Sequence, residues 1–379
     1  MLGTLLAATR LAVAAVMFAQ PAPSRVDWTK LADLTVRRTL RLATGERVVL
    51  FWDQSSDRGA ATAMRSAVIA AGGVPTDILA PIQPDVDAIR RLPSEAQTVQ
   101  RIRRDSAWAQ AFKGADAAIW LPTALTMADR PFEHLVEKSK VRSIHFHWFL
   151  PPDTADFAKV EELYAKAIAV EPARLATRIA TLENAIKGAT IKITAANGTN
   201  LAFTVPAAAW IHRNTGDASR SKVRDARSVR DRQEELPASV FRTTDLAGLE
   251  GTYVGYASFD TRGGILQATF SKGRLTKLES KRGADTIVAT WQKATGDKTL
   301  AGEFVIGTNP ELPGVLPSGF MPYYGYGAGV VRIAIGDNWE SGGKNRSSNG
   351  EILMFLPDAT VTANGTVLIK DGKLIAGSK

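Results

Sequence analysis

His145 and His147 flank Phe146 on a run that reads as a strand. Alternation along a strand sends both imidazoles to one face about 7 Å apart, within reach of a shared ion. They stand toward the end of that run, where open α/β sheets place their sites. No carboxylate is pinned beside them by sequence, so a pair of hydrogen-bonded structural histidines competes with the metal reading. Ser341-Gly-Gly-Lys344 has a Ser-x-x-Lys spacing, but the nucleophile of that motif opens a helix and this run is a glycine turn. The run Tyr323–Gly329 lacks both the lysine and the following helix of a phosphate loop, and reads as the aromatic rim of a cleft. His134 and His212 are isolated in sequence and read as surface or satisfied histidines rather than ligands. The absence of cysteine excludes disulfides, thiolate zinc sites and cysteine nucleophiles, and suits an oxidising compartment.

The elements that must hold these residues divide in two. At 379 residues the chain exceeds what one core usually serves, so two domains are expected, 23–187 and 188–379. The first alternates helix and strand signals. Apolar strands are expected at Val48–Trp52, Thr76–Leu79, Ala117–Leu121 and Ser143–Phe149, with a helix from Gly59 to the Gly72-Gly73 stop. No Gly-x-Gly-x-x-Gly follows the first strand, so no dinucleotide site is signalled. Two helices follow Pro151-Pro152; the second puts Leu175, Ile179, Leu182 and Ile186 on one face and stops at Gly188. Beyond it come short alternating runs with turns, at 191–194, 201–205, 253–259, 265–270 and 361–368, plus one helix near 285–294. That texture describes an antiparallel, β-rich α+β domain.

Three segments in the second half carry a family pattern: Glu303-Phe-Val-Ile-Gly-Thr-Asn-Pro310, Gly329-Val-Val-Arg-Ile-Ala-Ile-Gly336 and Gly342-Gly-Lys-Asn-Arg-Ser-Ser348. In this order they resemble the aminopeptidase T family of metallopeptidases, leucyl aminopeptidases that hold two metal ions between carboxylates and imidazoles. The resemblance implies an open α/β domain followed by a β-rich domain, and a homodimer. Residue by residue, it departs at the metals. Glu303 matches a family ligand. Arg332 stands where the family has a histidine, and arginine stays protonated with no lone pair to donate. Gly350 and Ile352 fall on the family's His-x-Asp pair, and Leu236-Pro-Ala-Ser-Val-Phe241 lacks the family's glutamate. Glu234 and Glu235 lie just upstream of that gap. Arg332 is therefore expected to pair with Glu303 and to replace a missing cation with a fixed one. Some relatives open dihydroxypyridine rings with a mononuclear iron, and the same late positions are lost for that chemistry.

Three functions follow as expectations. The first is an exported protein with a degenerate metal site that binds a small peptidic or carboxylated ligand through Arg332, Asn345, Arg346 and Tyr323. The second is a working hydrolase whose zinc, cobalt or manganese is held by Glu303 with His145, His147 or Glu351. The third is a cell-envelope interaction module using the chain's formal charge of +9. The most basic segment, Arg213–Arg232, carries no aromatic residue to stack on bases, so nucleic acid is not an expected partner. It reads as a solvated loop. Arg10, the apolar Leu11–Ala19 and the small or turn-forming residues after it read as an export signal over 1–22, placing the protein in the periplasm or outside the cell, and nine apolar residues are too few for a membrane span.

Overall fold

The computed structural model describes residues 26–80, 106–123, 129–148, 156–237, 239–346 and 351–377. The expected export signal, Gly350 and the last residues of the Gly342–Ser348 segment lie outside them. Among the described residues no helix is long and apolar enough to cross a membrane.

Five parallel strands form one sheet, in the order Val74–Leu79, Arg47–Trp52, Ala117–Trp120, Arg142–Phe146 and Gln233–Leu236. The third, fourth and fifth strands are buried along their whole length, as parallel strands covered on both faces must be. The helix Arg58–Ala70 begins where Asp57 accepts the Ala60 N–H at 2.9 Å and stops ahead of Gly72, whose φ of +81° closes it. The fifth strand comes from an unexpected place. After the helix Pro172–Ile186 the chain lays three strands elsewhere, at Thr190–Thr194, Asn200–Thr204 and Ile211–Asn214, then returns at 233–236 to finish the first sheet. Gln233-Glu-Glu-Leu236 carries no strand signal of its own. Its carboxylates are buried because partners wait for them: Glu234 accepts from Lys222 Nζ and the Gly216 N–H, both at 2.7 Å.

The second sheet is antiparallel throughout and has 13 strands among the described residues. Five neighbours within it matter for the site: Ile211–Asn214, Val240–Thr243, Ala301–Gly307, Val331–Ile335 and Ile352–Leu356. The run expected at 361–368 is a hairpin, Thr360–Ala363 and Thr366–Lys370, turning at Asn364-Gly365 with φ of 46° and 85°. The expected helix is present at Asp285–Gln292.

The strand Ala301–Gly307 serves two cores. Phe304 and Ile306 face a cluster with Ile179, Leu182 and Ile186 of the helix Pro172–Ile186. Val305 points the other way, into a cluster with Leu50, Ile119 and Ile144 of the parallel sheet. Side chains on the Val305 face therefore look toward the first sheet. The strand ends at Gly307, where an added Cβ would stand 2.0 Å from the Gly327 carbonyl oxygen and 2.4 Å from that of Tyr326. Backbone meets backbone there, and nothing flexible can yield. Gly307→Ala is expected to cost about 1–3 kcal/mol, read as a lower urea midpoint; an unchanged midpoint would show that the 322–329 loop shifts without penalty.

Candidate functional site

Strand register brings the charged groups together. Val305 pairs with Arg242 on one side and Arg332 on the other, Arg242 pairs with His212, and Arg332 pairs with Phe355. Paired positions share a face, so one row across five strands reads His212, Arg242, Val305, Arg332, Phe355. Glu303, two residues before Val305, joins the same face. Opposite this row stands the parallel sheet, where Trp120, His145 and Glu235 are register partners near the ends of their strands.

Across that gap three guanidinium groups and several carboxylates interlock. Arg332 donates through Nη2 to Glu303 and through Nη1 to the Tyr326 hydroxyl, while Ser341 Oγ donates to the other oxygen of Glu303. Arg242 donates through Nη2 to Glu235 at 3.0 Å and to the Tyr326 hydroxyl at 3.2 Å, with its Nε 3.8 Å from Glu303. Arg230 reaches Glu340 at 2.6 Å, and Glu133 and Glu235 at 3.3 Å. Burial alone would raise Glu303, but the Arg332 charge, with Arg242 and the Ser341 hydroxyl, outweighs it and holds this carboxyl at about 2. Glu235 is likewise at about 2, because Arg242 and Arg230 overcome its burial. His145 moves down to about 3 through burial, helped by the Arg230 charge.

Glu133, His145, Arg230, Glu235, Glu303, Tyr326, Arg332 and Glu340 border a cavity of about 570 Å³, whose wall also includes Tyr323, Tyr324, Phe259, Trp339 and Glu351. Tyr323 and Tyr324 sit in the left-handed region, with φ of 47° and 53°, a conformation that side-chain-bearing residues hold only when their surroundings impose it. The Tyr323 N–H donates to the Tyr164 hydroxyl at 2.8 Å and the Tyr323 hydroxyl donates to the His145 carbonyl at 3.1 Å. Tyr324 packs edge-on against His147, ring centres 5.0 Å apart.

The sequence-expected residues divide. Glu303, Arg332, Tyr323, His145, His147 and Glu351 all border the cavity. Asn345 and Arg346 do not: the Asn345 amide donates to the carbonyls of Asp297 and Gly336, both at 2.6 Å, and Arg346 pairs with Glu137 at 2.8 Å while covering the Trp339 ring. The two histidine rings meet with centres 3.9 Å apart, and His147 Nδ1 lies 3.1 Å from the Pro122 carbonyl, which makes it the protonated nitrogen. Among the described residues no three His, Asp or Glu side chains stand in a metal-holding group. Ile352, at the resemblance's aspartate position, is buried in the apolar cluster behind the second sheet. The solvated-loop reading of Arg213–Arg232 fails at Arg230, whose part-buried guanidinium joins the network; His212, just before that segment, is 3% exposed with its Nδ1 3.5 Å from Asp231. Arg242 was not foreseen. The signal for it is an arginine at the inward phase of the apolar run Val240-Phe-Arg-Thr243.

Similarity to solved structures shows the fold. The chain is similar to a 2,5-dihydroxypyridine dioxygenase from Pseudomonas putida KT2440, at TM-score 0.66 and 14% identity, over 93% of this chain and 98% of that one. It is similar to wild-type AmpT, aminopeptidase T, from Thermus thermophilus, at TM-score 0.61 and 14% identity, over 92% and 99%. No family model matches the sequence, and no curated protein matches it either.

Two outcomes follow from the buried charges. Arg332→Leu leaves the Glu303 carboxylate buried with its main partner removed and is expected to cost roughly 3–5 kcal/mol, whereas Glu303→Leu combined with Arg332→Leu recovers most of that loss. Urea unfolding of both variants measures it; equal losses would show that the pair contributes nothing specific. The second outcome concerns acid. Glu235 and Glu303 have folded values below the unfolded 4.5, so their contribution is present above pH 4.5 and lost toward pH 2. His145 and His212, lowered chiefly by burial to about 3 and about 4, stay neutral when folded, so stability also falls as pH drops through 6.5. All four have the same sign. Urea midpoints are expected to decline from pH 6.5 and more steeply below 4.5; a flat profile down to pH 4 would contradict it.

Proposed function

We propose that this chain is an exported protein of aminopeptidase T-like fold that binds a small peptidic ligand in the cavity and leaves it uncut. One observation carries the reading: Arg332, at the position of a family metal ligand, is paired with Glu303, the carboxylate that matches another. A two-ion hydrolytic centre needs lone pairs on several residues around closely spaced cations. Here both oxygens of Glu303 already accept bonds, from Arg332 and Ser341, Glu235 accepts from Arg242, and the fixed positive charges stand where ions would enter. The residues present do not fit a pair of metal ions.

The likeness to AmpT supports a peptidic ligand. A carboxylate ligand is less well matched, because both Nη groups of Arg332 are engaged by the protein itself. Export rests on the apolar segment over residues 1–22.

The purified full chain, dialysed against zinc, cobalt or manganese and then against buffer, is expected to retain well below one equivalent of metal and to leave leucyl peptides intact. Arg332→His removes a cation and restores a lone pair beside Glu303, so that variant is expected to retain more metal than the native chain. Stoichiometric metal in the native protein, with chelator-sensitive hydrolysis, would overturn the proposal.

A further inference from the structure

Parallel strands begin at one edge of their sheet and end at the other. The cavity lies at the far edge, where His145 and Glu235 stand near their strand ends. The near edge, where Arg47, Ala117, Arg142 and Gln233 open their strands, is built from the segments 41–47, 113–116, 138–142 and 217–232. Hydrogen bonds tie these segments into one surface: Asp116 accepts from the Arg47 N–H and from Arg220 Nη2, both at 2.9 Å, Arg142 donates to the Ala218 carbonyl at 3.2 Å, and Arg232 donates to the Lys140 carbonyl at 3.4 Å. Leaving aside Arg230, which turns to the cavity, the four segments carry eleven lysines and arginines against five aspartates and glutamates, an excess that supplies most of the formal charge of +9. The exposed Arg47, Lys113, Lys140 and Arg224 form no ion pair among the described residues.

A second feature of this edge is apolar and independent of the charge. Ile69, 58% exposed, lies in the last turn of the helix Arg58–Ala70, and Val74, 52% exposed, opens the outermost strand of the sheet. Both stand beside the basic segment 41–47, for the Gly45 N–H donates to the Gly72 carbonyl and the Val74 N–H to the Glu46 carbonyl, each at 2.8 Å. Arg37 donates to the Ala70 carbonyl at 2.8 Å next to them.

We propose that this edge docks on the surface of a bilayer that contains anionic lipid. The cations lie among the headgroup phosphates, and Ile69 and Val74 enter the boundary between headgroups and acyl chains. Cations spread over four loops fit a plane of mobile charges, and the two exposed apolar side chains favour lipid over a soluble polyanion, which has nowhere to bury them. Docking at this edge turns the cavity, at the opposite edge, away from the lipid and into water.

Sedimentation of the full chain with vesicles tests this, using phosphatidylcholine alone and phosphatidylcholine with one-third phosphatidylglycerol. Binding is expected to the mixed vesicles only, and to weaken as salt is added. Arg47→Gln and Arg224→Gln are each expected to reduce it about fivefold, and Ile69→Gln combined with Val74→Thr roughly tenfold. The chain has no cysteine, so one can be placed and labelled with an environment-sensitive dye: a label at Ala70→Cys is expected to brighten on the mixed vesicles, and one at Glu351→Cys, on the cavity wall, to stay unchanged. Absence of binding to the mixed vesicles at low salt overturns the proposal, as does binding that survives all four substitutions, for instance through the apolar segment 11–19, or a response from the label at 351 instead of 70. Equal affinity for soluble polyphosphate, indifferent to the substitutions at Ile69 and Val74, would assign the edge to a polyanion and overturn docking on lipid.

Discussion

Two guanidinium groups buried between two sheets, Arg242 and Arg332, with the part-buried Arg230 beside them, impose the constraint on which the rest of this structure depends. An isolated charge moved out of water costs several kcal/mol even after relaxation, so each arginine must find carboxylates at bonding distance. Arg332 has Glu303, Arg242 has Glu235 with Glu303 nearby, and Arg230 has Glu340, Glu133 and Glu235. The partners come from different elements. Glu235 belongs to the parallel sheet and Arg242 to the antiparallel one, so satisfying the charges also fixes how the two sheets face each other. The return of residues 233–236 to the first sheet follows from the same demand, since it delivers Glu234 to Lys222 and Glu235 to Arg242 and Arg230.

The antiparallel sheet supplies the placement. A one-residue slip between Ala301–Gly307 and Val331–Ile335 would turn Arg332 into the apolar cluster and Ile333 toward the cavity. Phe304, Ile306 and Ile333 lock the register from the other face, in the apolar cluster that also holds Ile179, Leu182 and Ile186. Apolar packing on one side therefore determines polar geometry on the other. The loop carrying Tyr323, Tyr324 and Tyr326 completes the wall, held by close backbone approach at Gly307 and by the phenols of Tyr164 and Tyr323.

Much of this was legible in the residues. Runs such as Val48–Trp52 and Ala117–Leu121 announce buried strands, the Gly72-Gly73 stop marks a helix end, and the expected pairing of Arg332 with Glu303 is present. What stayed hidden depends on distant partners. Gln233-Glu-Glu-Leu236 can be a buried strand because arginine and lysine side chains elsewhere donate to its carboxylates. Arg230 sits in a segment whose other basic residues pair elsewhere, Arg213 with Glu183, Arg220 with Glu46 and Asp116, and Lys222 with Glu234, and no local pattern separates it from them. Asn345 and Arg346, expected to bind a ligand, are instead engaged by the protein itself, through the Asn345 amide and the Arg346 contacts with Glu137 and Trp339.

A buried guanidinium and a metal ion offer different chemistry to a cavity. A metal polarises a carbonyl and makes bound water acidic near neutral pH. Arginine keeps its proton at any physiological pH and offers directed donors only. The titratable groups around it are displaced away from neutrality: Glu235 and Glu303 lie at about 2, pulled down by the same arginines, and burial holds His145 at about 3. General acid–base work favours a group that titrates near the working pH, and these three are poor proton acceptors at pH 7. The charges that hold this interior together thus also move Glu235, Glu303 and His145 away from neutrality.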